Sequence, residues 1–228
     1  MSWGDDKALS IKSYPYVEKI YYDIFPIKNI IRFDKNGKRH ILDIKYHIDV
    51  ELELGNGTKL TMQESVLRSE YSLFDTFTME FYQNRHDYEI ETPDGTIMKP
   101  KEKGEFFIIA ARYYFHGYWN EETEKSVKYL YDEDGSLKDG LEKWYLIKLP
   151  EFLDYYRSWP IEKLEAKTRP TKGSNASFIW FKYNEILKEF IYVKYKEGRK
   201  IVTGNIFDNS KLDKMRNHNA KRSFYFSS

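Results

Sequence analysis

"KYHIDVELELGNGTKLTMQESVLR", residues 45–68, decides how this chain is read. Gly55-Asn56-Gly57 is a turn signal between two alternating runs, which predicts a β-hairpin. Centring the turn on Asn56 sets Leu54 against Thr58, Leu52 against Leu60 and Val50 against Met62, giving one apolar face. The other face then pairs Glu53 with Lys59, Glu51 with Thr61 and Asp49 with Gln63, and brings Ser65 to His47. A slip of one residue would set Glu51 against Met62 and Glu53 against Leu60, which side-chain alternation penalises. Asp49, Gln63 and Ser65 are therefore expected on one polar face. Glu64 points the other way, among apolar side chains, where an unpaired carboxylate is costly. It needs a base such as Arg68, or a bulge that turns it toward the polar face.

Working outward, residues 14–25 read as an amphipathic helix with Val17, Ile20, Tyr21 and Ile24 on one stripe and Pro26 as the stop. Glu18 lies beside that stripe. "KNIIRFD" (28–34) is expected to be a strand, and residues 40–54 are β-rich throughout. Strands are also expected at 76–84, 105–120, 126–132, 143–149 and 178–183, with turns at 92–96 and in "DEDGS" (132–136). "PEFLDYYRSW" (150–159) opens a helix with proline at its first position. "NEILKEFIYV" (184–193) reads as a second helix capped by Asn184, and 168–177 as a loop. This order predicts an α/β or α+β domain on a mixed sheet, and 228 residues suit one domain.

Composition narrows the chemistry. Tyr (20) and Phe (15) dominate an aromatic fraction of 18%, so the core should be built of rings, many with polar tips. Mean hydropathy is -0.72, and the longest apolar run, "FFIIAA" (106–111), is too short to cross a bilayer. With no apolar signal core at the N-terminus, a cytoplasmic, intracellular protein with no membrane partner is expected. The absence of cysteine excludes disulfides, thiolate catalysis and cysteine-bound zinc. The five histidines, His40, His47, His86, His116 and His218, lack the HxxxH and HExxH spacings of zinc sites. Net charge is only +1, but residues 117–165 carry twelve acids against seven bases, and residues 194–222 nine bases against three acids. That basic tail suits phosphate.

Together, the Glu18 helix, the Asp49 strand and the Gln63-Glu64-Ser65 run resemble the PD-(D/E)XK nuclease superfamily. "GEFFIIAARYYFHGYWN" (104–120) resembles the core strand that follows the motif in viral and phage members. The resemblance implies a restriction-endonuclease-like α/β fold, a mixed central sheet flanked by helices. It would form a single domain over 1–228, its core at about 14–120, with C-terminal elaborations and a basic tail. It implies a DNA endonuclease that hydrolyses phosphodiesters with Mg²⁺ or Mn²⁺. Carried over residue by residue, Asp49 is the principal metal ligand, Gln63 takes the acid position and Ser65 the lysine position. Glu18 is the helix glutamate. The implied catalytic set is Asp49, Gln63, Glu64 and Ser65, with Glu18, Asp49 and Gln63 on the metal. Arg68, Lys211, Lys214, Arg216, Lys221 and Arg222 would contact nucleic acid. DNA is the expected partner, and a homodimer stays open. Ser65 departs from the pattern, because a hydroxyl cannot supply the positive charge that lysine offers a phosphate. The alternative is a decayed nuclease fold acting as a nucleic-acid-binding or protein-interaction module.

Overall fold

The hairpin forms in the expected register. In the computed structural model, β2 (Val50–Leu54) pairs with β3 (Lys59–Leu67) as Val50↔Met62, Glu51↔Thr61, Leu52↔Leu60 and Glu53↔Lys59. Val50, Leu52, Leu60 and Met62 are all buried. The structure describes residues 3–33, 41–84, 90–91, 97–98, 101–171, 176–196 and 199–202. The expected turn at 92–96 and the basic tail with Lys211, Lys214, Arg216, Lys221 and Arg222 lie outside them.

The remaining elements are, in chain order, α1 (Trp3–Ile24), β1 (Ile27–Arg32), α2 (Ile41–Tyr46), then β2 and β3, and a 3-10 turn at Ser69–Phe74. Next come β4 (Thr76–Asn84), β5 (Ile90–Glu91), β6 (Ile97–Met98), β7 (Lys101–Lys103), α3 (Glu105–Ile108), β8 (Tyr113–Trp119) and α4 (Glu121–Lys125). They are followed by β9 (Leu141–Lys148), α5 (Leu149–Arg157), α6 (Ile161–Glu165), β10 (Thr168–Pro170) and β11 (Ser177–Lys182). A 3-10 turn at Lys188–Phe190 leads into β12 (Ile191–Lys196) and β13 (Arg199–Val202).

Seven of these strands form a mixed sheet in the order β1-β2-β3-β8-β9-β12-β13, antiparallel except for the parallel pair β3–β8. A second, antiparallel sheet runs β10-β11-β4-β7, and β5 pairs with β6. Alternation along the strands sorts side chains to two faces. On one face α1 and the residue after it lay Tyr16, Val17, Tyr21 and Phe25 over Val50, Leu52, Met62, Phe115 and Leu146. On the other, Tyr114, Tyr118, Tyr145 and Ile147 meet Phe77, Met79 and Phe181 of the second sheet and Phe152 of α5. The molecule is thus a mixed α/β structure in which the large sheet lies between a helix and a second sheet.

Five sequence expectations are corrected, the first being the loop expected at 168–177, whose residues Thr168–Pro170 form β10 and whose Ser177 opens β11. Residues 41–46, expected as β-rich, form helix α2. The strand expected at 105–120 is a one-turn helix followed by β8, which starts only at Tyr113. Residues 126–132 form no strand, and Tyr131 makes a lone bridge to Leu137. The helix expected at 184–193 is a turn running into β12, whose aromatic and β-branched residues pair with β9 instead.

Candidate functional site

β2 begins at Val50, so Asp49 stands just before the ladder. Its backbone N–H still bonds the Met62 carbonyl at 2.9 Å. Its side-chain Oδ2 accepts the backbone N–H of Glu64 at 2.8 Å, standing in for the ladder acceptor that a longer β2 would have supplied. The same divergence means that Ser65 does not face His47. Beyond Met62, β3 pairs with β8, as Gln63↔Tyr114, Glu64↔Phe115 and Ser65↔His116.

That parallel pairing fixes the faces. Gln63 and Ser65 lie with Tyr114 and His116, on the side of the second sheet, and Glu64 lies with Phe115, on the α1 side. Asp49 is tied to β3 between Gln63 and Ser65 by the Glu64 N–H, and its charge is felt both by Tyr114 and Glu105 and by Glu64 and Tyr21. Glu105 opens α3, directly after Gly104. A Cβ on Gly104 would come within 2.7 Å of the Glu80 carbonyl oxygen, so only glycine allows this close approach, which seats Glu105 under β4. The Tyr114 hydroxyl interacts with both Glu105 and Ser65.

The result is a half-buried cluster of Asp49, Gln63, Ser65, Glu105 and Tyr114. Burial holds the Glu105 carboxyl up at about 8. Burial likewise raises Asp49 well above the carboxylate range, and the charges of Glu64, Asp43 and Glu105 add to it against the opposing Glu64 N–H. Burial and the same two acids, Glu105 and Asp49, hold the Tyr114 phenol well up. Gln63 Oε1 and Glu105 Oε1 are buried acceptor oxygens with no hydrogen-bond donor. An unsatisfied buried acceptor calls for an explanation, and an oxygen-seeking cation is one. Among the described residues no three acidic or histidine side chains gather in metal-ligand arrangement. The oxygen set here is two carboxylates and an amide.

Glu18 and Glu64 are placed elsewhere. Arg32, at the end of β1, donates from Nε to Glu18 Oε1 and from Nη1 to Glu64 Oε2, both at 2.7 Å. The guanidinium lies 3.8 Å from the centre of the Tyr14 ring. Glu64 therefore meets its base without a bulge, and the base is Arg32 rather than Arg68. Arg68 pairs with Glu124 at 3.4 Å. The structure does not bring Glu18 to Asp49 and Gln63, since it contacts Arg32 across the α1 face. Glu51 and Glu53 carry Lys59 and Lys28 at 2.7 and 3.0 Å, ion pairs of the solvent side that contribute little. His116 is fully buried, bonded through Nδ1 to the Tyr183 hydroxyl at 2.8 Å, and burial lowers it to about 3, so it packs as a neutral ring.

Sequence reasoning missed Glu105 and Tyr114. The available signal was Gly104-Glu105, a glycine and an acid directly before the apolar run that starts at Phe106. Also among the described residues, no helix is long and apolar enough to cross a membrane. No family model, no curated protein and no solved structure matches this chain.

Proposed function

We propose that this chain is a PD-(D/E)XK-type, restriction-endonuclease-like protein whose site is built to hydrolyse DNA phosphodiesters with Mg²⁺ or Mn²⁺. The observation that carries the reading is that Gln63 and Ser65 share one face of a mixed sheet, with Asp49 bonded to the Glu64 N–H between them and the buried Gln63 Oε1 and Glu105 Oε1 lacking donors. The sheet order supports it too, because the aspartate strand and the acid-position strand are neighbours in the sheet, although Glu18 is held by Arg32 away from them. Asp49, Gln63 and Glu105 would hold the ion, all three being hard oxygen donors. The bound ion would polarise a phosphate oxygen and lower the pKa of its water. Asp49 is oriented for this by the Glu64 N–H. Tyr114 orients Glu105 and occupies the hydroxyl of Ser65. Neither group brings a positive charge to a phosphate.

That lack of charge favours a second reading, a scaffold that binds nucleic acid without cutting it. The test is cleavage of plasmid, linear, branched and single-stranded DNA under Mg²⁺ and Mn²⁺, by wild type and by Ser65→Lys. General acid–base and charge contributions of this kind reach about a hundredfold or more. A metal-dependent gain of that order in Ser65→Lys supports the nuclease reading. Salt-dependent DNA binding with no cleavage by either protein supports the second. Neither binding nor cleavage removes both.

A further inference from the structure

We infer that Arg32 is a positioning residue, which fixes the candidate metal site from the opposite face of the sheet. This role rests on the nuclease reading above.

The chain of contacts is continuous. Glu18 on α1 binds Arg32 Nε, and Arg32 Nη1 binds Glu64 Oε2. The backbone N–H of Glu64 binds Asp49 Oδ2. Glu64 is thus gripped twice, by its side chain on the α1 face and by its main chain at Asp49. Its neighbours in sequence are Gln63 and Ser65, which carry the polar side of the cluster. A rotation or slide of β3 at residue 64 would move the Asp49 carboxylate and both flanking side chains together.

The burial of the clamp argues that it is more than a surface ion pair. Only 3% of the Arg32 side chain and 7% of the Glu64 side chain are exposed. Exchanging a buried ion pair for apolar packing is often neutral for stability, so such a pair is better explained by the geometry it imposes. The geometry imposed here is directional. A planar guanidinium that binds two carboxylates and lies against the Tyr14 ring has little freedom to turn. Arg32 also sits at the end of β1, beside Val50 in the β1–β2 ladder, so it ties three strands to α1 close to where Asp49 leaves β2.

The experiment is a Mn²⁺ titration followed by electron paramagnetic resonance on the full chain. It compares wild type, Arg32→Met, Arg32→Lys, Glu18→Gln and Asp49→Ala, each first checked for native near-ultraviolet circular dichroism. Wild type should take up Mn²⁺ and Asp49→Ala should not. Arg32→Met should bind about tenfold more weakly, with partial rescue in Arg32→Lys, which restores the charge but not the two-armed fork. Glu18→Gln, which leaves the buried Arg32–Glu64 bond in place, should show a smaller loss and carries the test if Arg32→Met does not fold. Mn²⁺ affinity unchanged in every folded Arg32 and Glu18 variant overturns the positioning role and leaves the metal site standing. No uptake by folded wild type overturns the metal reading, and this role with it.

Discussion

Glu105→Gln tests the candidate site without reference to any reaction. Glutamine keeps the shape and the acceptor oxygen but cannot ionise. In the folded chain the Glu105 carboxyl is held at about 8, against an ordinary value of 4.5. The folded state therefore keeps a proton that the unfolded chain releases. Stability falls as pH rises from about 4.5 to about 8 and is flat above, because only there have both states lost the proton. Each pH unit in that window is worth about 1.4 kcal/mol, so the full penalty has a ceiling of about 5 kcal/mol. Glu105→Gln should show no such penalty. The assay is urea unfolding of both proteins in metal-free buffer at about pH 5, 7 and 9. The stability of Glu105→Gln relative to wild type should climb by several kcal/mol across the series. A difference that stays constant with pH would refute the argument that burial keeps Glu105 protonated in the folded chain.

Other outcomes follow from the same contacts. Mn²⁺ should raise the thermal midpoint of wild type and not of Asp49→Ala, and equal shifts in both proteins would remove Asp49 from the site. Gly104→Ala places a methyl 2.7 Å from the Glu80 carbonyl, so denaturant unfolding should show a loss of about 1–3 kcal/mol, and an unchanged midpoint would contradict the close approach. His116 stays neutral in the folded protein down to about 3, whereas the unfolded chain protonates near 6.5. Stability should therefore fall as pH drops through that window, more steeply in wild type than in His116→Gln, and parallel acid-unfolding curves would count against a neutral buried ring.

The hairpin register could be read from sequence because Val50, Leu52, Leu60 and Met62 repeat with period two and a slip would bury Glu51 and Glu53. The same parity correctly separated Gln63 and Ser65 from Glu64. Short elements were lost. Ile41 and Leu42 suit a strand, but the chain turns there through a left-handed His47 and takes one helical turn instead. In 184–193, aromatic and β-branched residues won over the Asn184 cap because β9 offers an unpaired edge. Tyr114 could not be assigned to the site, since its place depends on a parallel pairing between strands about fifty residues apart, and Glu105 is seated by the approach of Gly104 to β4. Local periodicity carries no information about such a crossover.

β3 does different work on its two faces, and this bears on Ser65. On the α1 face, Glu64 already has a full-strength cation in Arg32, which burial would make costly to leave unpaired. Arg32 therefore cannot be lent to a phosphate on the other face without exposing a buried carboxylate. Arg68 is committed to Glu124. The positive charge that the resemblance expects beside Asp49 is thus not available from either arginine flanking the motif. A bound divalent ion would then carry the charge stabilisation that neither Arg32 nor Arg68 supplies. Removing the ion should then abolish cleavage in wild type more completely than in Ser65→Lys, where a lysine would remain to face the phosphate.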